Sequence, residues 1–160
     1  DIYWNVKGAR NLGAYVSSGE WLLFHDFDHW FDNDNLIKIL NYNKSDNEIY
    51  QFSRLREGVP AKLHKETHLI RKDSFLNKIG GHDEDEVGIY GGGFKTYYER
   101  AMKCGHVLKH IEDIFVHTVN NTYFEDLQSS IEVKKNRSTY VPTNKKHKTG
   151  ILRFEWERVL

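Results

Sequence analysis

Trp21-Leu22-Leu23-Phe24-His25-Asp26-Phe27-Asp28-His29-Trp30-Phe31 is the stretch whose reading decides the fold. Four apolar residues in five positions, ending abruptly in two carboxylates spaced i and i+2, describe a buried strand, Trp21 to His25, whose end carries chemistry. Side chains at i and i+2 of a strand point to the same side, so Asp26 and Asp28 project together if the strand continues and fan around one point if it turns. Two carboxylates ~4 Å apart repel by ~4 kcal/mol at an effective dielectric of ~20, so a cation is expected between them. Oxygen donors suit Mg²⁺ or Mn²⁺, and the flanking His25 and His29 tilt the choice towards Mn²⁺. The plainer alternative is that Asp28 starts a turn and caps the next helix.

Composition narrows the class. The 160 residues are 39% hydrophobic, enough for one globular domain with its own core. Lys plus Arg (23) balance Asp plus Glu (23), so no net field favours nucleic acid or an acidic membrane, and any anion site must be local. The single cysteine, Cys104, reads as a small packing residue. No apolar run is long enough to span a membrane and no signal-peptide pattern opens the chain, so a cytoplasmic protein is the expectation. The chain opens on Asp1 rather than Met, from which we expect a piece of a longer protein or a processed form.

Outward from the central strand, residues 9–19 read as a short helix stopped by Gly19, with Arg10 and Asn11 near its start, where free backbone N–H groups welcome anions. Helix followed by strand and acidic end is half of an α/β unit whose active edge is the strand's carboxyl end. Asp32-Asn33-Asp34 offers caps for a helix over 34–42 carrying Leu36, Ile39 and Leu40. Residues 48–54 alternate as a strand, Pro60 marks an irregular loop, 68–71 is a short strand, and 72–79 a short helix closed by Gly80-Gly81.

A second chemical centre follows. His82-Asp83-Glu84-Asp85-Glu86 sets four acids in a row between Gly80-Gly81 and Gly91-Gly92-Gly93, which predicts a shaped acidic loop. Phe94, Tyr97, Tyr98, Ala101 and Met102 give a helix ended by Gly105. Residues 107–111 and 114–117 are strand candidates separated by Glu112-Asp113, with His117 ending the second. A helix is expected over 122–135, a lysine-rich linker over 136–150, and a docking segment from Ile151 to Trp156. The division is therefore a domain over 1–135 and a linker with its docking segment over 136–160. No internal repeat is visible.

Taken in order, Trp4-Asn5, Gly8 to Ala14, Ser18 to Phe24 and Asp26-Phe27-Asp28-His29 resemble the GT-A glycosyltransferases of the family 2 type. Leu69 to Lys72 and Gly80 to Asp85, with Gly88-Ile89-Tyr90-Gly91, are similar to the acceptor side of those enzymes, and Ile151 to Arg158 to the ending of small viral and bacterial members. The resemblance implies an α/β fold with a GT-A-like, Rossmann-like mixed sheet flanked by helices. It implies an inverting sugar transfer from a UDP- or GDP-type nucleotide-diphosphate sugar to a glycan or other hydroxyl acceptor. Asp26, Asp28 and His117 would then hold Mn²⁺ or Mg²⁺ against the diphosphate, with Arg10, Asn11, Asp26 and Gly81 at the nucleotide sugar. Asp83 or Glu84 would supply the catalytic base. A divalent cation neutralises the charge that develops on the leaving diphosphate, and a carboxylate takes the proton of the acceptor hydroxyl. Tyr90-Gly91 leads into Gly92-Gly93, where similar sequences carry an acid, so the base falls to Asp83, Glu84 or Asp85. The first strand-helix units of a GT-A domain, roughly 60 residues, have no counterpart before Asp1, so an N-terminal segment or partner subunit is expected to complete the nucleotide half. Rival readings are a sugar-nucleotide or carbohydrate-binding module without turnover, and a D-x-D phosphohydrolase. The latter generally follows its motif with Gly-Thr or Gly-Val rather than His29-Trp30. A His-Asp metallohydrolase built on His25-Asp26 is disfavoured because the histidine spacing fits no helix pair.

Overall fold

A computed structural model describes residues 6–84 and 93–119. Asp85 and Glu86 of the acidic row, Gly91-Gly92, the helix expected over 122–135, and the linker and docking segment over 136–160 lie outside the described residues.

The fold is mixed α/β. Helix α1 (Val6–Val16) leads to strand β1 (Trp21–Phe24), then β2 (His29–Trp30) and helix α2 (Asn33–Asn41). Strands β3 (Glu48–Arg56), β4 (Val59–Ala61) and β5 (His68–Arg71) precede a π-type helical turn, Ser74–Ile79. Helix α3 (Gly93–Lys103) and strand β6 (Val107–Thr118) complete the described elements. The strands form one sheet in the order β1-β5-β3-β6-β2, with β4 paired to β3. β3 and β6 run parallel; every other pairing is antiparallel.

The sheet is covered on both faces, and β1 shows why its sequence reads as apolar throughout. Leu22 and Phe24 face a core made with Ile49, Ile70, Phe75, Phe94 and Tyr97, contributed in part by α3 and the π-type turn. Trp21 and Leu23 face the opposite core of Ile39, Tyr50, Phe52, Leu69, Ile111 and Ile114, beneath α2. Strand residues at i and i+2 share a face, so both parities must be apolar when both faces are packed.

Several expectations are corrected. β1 ends at Phe24 and lies at one end of the strand order; the central strand is β3, whose Ile49 to Phe52 are all buried. Helix α1 begins three residues earlier than periodicity suggested, so Arg10 and Asn11 lie in its middle with buried side chains rather than at free N–H groups. In α2, Asp32 is the N-cap, its Oδ1 accepting the Asn35 N–H at 2.7 Å, which removes Asp28 from the capping role. Of α2's periodic apolar residues Ile39 is buried, whereas Leu40 is 75% exposed. Pro60 sits in β4, which pairs with β3 alone, where its missing N–H costs no ladder bond. Glu57 and Gly58, with φ of 50° and 79°, form the tight turn that joins β3 to β4. The two strands expected over 107–117 are one. A bulge places Ile111 opposite Phe52 and Phe115 opposite Ser53, so residues 112–114 are the extra loop of a continuous strand. Met102 of α3 is exposed rather than packed.

Candidate metal and donor site

Because β1 and β2 occupy opposite ends of the strand order, residues 25–28 cross the edge of the sheet where β1 ends and β5 begins. His64, Glu66 and Thr67 lead into β5 at that same edge, and α1 passes beside it. The segment from His25 to His29 is tied down at both ends. The His29 N–H donates to the Asp26 carbonyl at 3.0 Å, and the Val119 N–H donates to the Asp28 carbonyl at 3.3 Å.

Asp26 is the hub. Its Oδ1 accepts from Arg10 Nη2 at 2.6 Å, and its Oδ2 lies 3.6 Å from His64 Nε2. Arg10 is 8% exposed, stacks its guanidinium over Phe94 at 4.8 Å, and also lies 3.8 Å from Glu66 Oε2. His29 and His64 meet edge to face with ring centroids 4.4 Å apart. Buried Thr67 joins them: its Oγ1 is 2.6 Å from His29 Nδ1 and 3.5 Å from His64 Nδ1. Asp26, His29 and His64 each offer one ligand atom, all within 4.8 Å of one another.

The electrostatics follow from burial. Desolvation, then the neighbouring His64, lowers His29 to about 4, and desolvation lowers His64 too, so both imidazoles are neutral near pH 7. Desolvation first, then the Asp26 charge, raises Glu66 to about 7 against the pull of Arg10. The charge of Asp28 acts on His29, His64 and Arg54 without joining the ligand group.

The remaining sequence candidates fall into two further places. Asn11, fully buried, donates through Nδ2 to the His82 carbonyl at 3.0 Å and to Glu84 Oε1 at 2.7 Å, and accepts the His82 N–H at 2.8 Å. Arg100 donates to the Gly81 carbonyl. Arg10 and Asn11 therefore fasten, from consecutive positions of α1, the Asp26 centre and the segment of Gly81, Asp83 and Glu84. His117 lies apart from the Asp26 group: its Nε2 is 3.2 Å from Asp32 Oδ2 and its ring stacks on Trp30 at 4.2 Å and 17°. His64 and Thr67 were missed in the sequence. Their only local signal was a His-x-x-Thr in a polar loop before β5, and nothing local joins that loop to Asp26.

The donor set can be tested against the cation that the D-x-D pattern implies. One carboxylate and two imidazoles fit a divalent transition ion better than Mg²⁺, which favours all-oxygen coordination. No protein-family model and no curated protein matches this chain. Among the described residues no helix is long and apolar enough to cross a membrane.

Proposed function

We propose that this chain is a metal-dependent glycosyltransferase of the GT-A, family 2 type, moving a sugar from a nucleotide-diphosphate donor to a hydroxyl acceptor. The observation that carries this reading is Asp26 at the end of β1, with one carboxylate oxygen on buried Arg10 and the other turned towards two neutral imidazoles. A cation there would supply Lewis-acid stabilisation to the leaving diphosphate. Arg10 and Asp28 set the charge around that position, and Asn11 holds the acceptor-side segment in place. The acceptor hydroxyl oxygen bonds to the anomeric carbon as the bond to the diphosphate breaks. The nucleoside diphosphate departs with the electron pair, and the hydroxyl proton passes to Asp83. Glu84, 8% exposed and bonded to Asn11, is better placed to hold Asn11 than to take that proton.

Nucleoside diphosphate release from UDP- and GDP-sugars, with and without Mn²⁺, tests the reading. Release should require the metal, and Asp26→Asn should abolish metal-dependent donor binding while leaving the circular dichroism spectrum unchanged. Unaltered metal dependence in that variant contradicts the role of the D-x-D pair. The engagement of Glu84 by Asn11 gives weight to a second reading, a sugar-nucleotide-binding module, which predicts donor binding with no release under any acceptor condition.

A further inference from the structure

We propose that Asp26, His29 and His64 form a three-ligand site for a divalent transition ion, of the Mn²⁺, Co²⁺ or Zn²⁺ class, with Thr67 orienting both imidazoles. The site goes beyond the D-x-D pattern, since two of its three ligands lie outside that pattern and one comes from a loop 36 positions further along the chain. It holds whether or not the bound substrate is a sugar nucleotide.

Spacing favours a shared ion over a direct hydrogen bond. Asp26 Oδ2 and His64 Nε2 are 3.6 Å apart. An N–H···O bond would bring them to ~2.9 Å, whereas two ligands sharing a tetrahedral ion with ~2.1 Å bonds sit ~3.4 Å apart. The pair has the separation of co-ligands. The three ligand atoms, from a loop and a strand end, all lie within 4.8 Å of one another.

Orientation favours an ion as well. A metal-bound imidazole usually uses its other ring nitrogen to bond a fixed partner, which sets the tautomer. Thr67 is that partner for His29 at 2.6 Å and, through a longer contact of 3.5 Å, for His64. Its hydroxyl oxygen has two lone pairs, so it can accept from both Nδ1–H groups and leaves the Nε2 lone pair of each ring for an ion. Arg10 does the same for the carboxylate, fixing Oδ1 and turning Oδ2 to the imidazoles. Three protein ligands with open positions is the pattern of a site that also binds substrate or water. Two nitrogens among the three select against Mg²⁺.

Titration of the full chain with Co²⁺ reads the site directly through the visible d–d band of the ion. One equivalent should give an intense band, displaced by one equivalent of Zn²⁺ and retained in a hundredfold excess of Mg²⁺. His29→Gln and His64→Gln should each weaken Co²⁺ binding at least tenfold and change the band, and Thr67→Ala should weaken it about 10- to 100-fold. His117→Ala should leave band and affinity unchanged. His64 is a loop side chain outside both core clusters and 26% exposed, so its variant reports on coordination with the fold intact. The proposal is overturned by no band with wild-type protein, by a band indifferent to His29→Gln and His64→Gln, or by equal displacement by Mg²⁺. A Co²⁺ site that passes these tests in a protein that binds no nucleotide would leave this assignment standing and remove the transferase reading.

Discussion

Acid should loosen this protein through its buried histidines before it reaches the carboxylates, and His68 shows the effect. His68 opens β5 with no solvent exposure, packed among Phe24, Phe94, Tyr97 and Tyr98. Its Nδ1 donates to the Glu66 carbonyl at 3.2 Å, and its Nε2 finds no hydrogen-bond partner among the described residues. Desolvation, reinforced by the nearby Arg10 charge, lowers it from 6.5 to about 3. Between those values the unfolded chain binds a proton that the folded chain refuses. Stability is therefore complete above pH 6.5 and is lost as pH falls towards 3. The whole interval corresponds to about 5 kcal/mol, of which about 2 kcal/mol is lost by pH 5. His82, with neither ring nitrogen hydrogen-bonded among the described residues and its affinity for a proton lowered the same way, adds to the loss. Urea unfolding of wild type and His68→Phe at pH 7.5 and pH 5 isolates the effect, because the packing cost of the larger ring and the lost bond to Glu66 are common to both pH values. The drop in stability between the two should be about 2 kcal/mol smaller in the variant. Equal drops would refute the assignment of a neutral, desolvated His68.

Three further outcomes follow from the fold and the site. Asp32→Ala removes the cap of α2 and its contact with His117, and should lower stability by about 1 kcal/mol in thermal unfolding. Phe75→Ala empties a fully buried position against Phe24 and His82 and should cost about 3–5 kcal/mol, read as a fall in the denaturant midpoint at unchanged slope. Asp83→Asn should cut turnover more than donor binding; equal loss of both would make Asp83 a positioning residue.

How far the sequence could be read depended on whether a signal was local. The end of β1, the cap at Asp32, the stops at Gly80 and Gly105 and, Met102 apart, the core face of α3 each rest on residues a few positions apart, and each reads correctly to within one or two residues. The middle of α1 does not. Lys7, Arg10 and Asn11 are polar residues on a buried face, tolerated because partners such as Asp26 and Glu84 wait 16 and 73 positions away. Leu36 and Leu40 show the reverse error: their spacing is helical, yet they face away from the core around Ile39. The strand through Glu112 and Asp113 was split because a bulge is invisible until β3 supplies the register. In the site, Asp26 was legible because carboxylates rarely close an apolar strand. His64 and Thr67 were not, since only the antiparallel placement of β5 beside β1 carries their loop to Asp26.

Calorimetric titration of the full chain with UDP and with GDP, each in the presence and absence of Mn²⁺, tests the central claim most directly. One nucleotide should bind with Mn²⁺ and lose its binding without the ion. Binding of neither nucleotide, or binding indifferent to Mn²⁺, would contradict that claim.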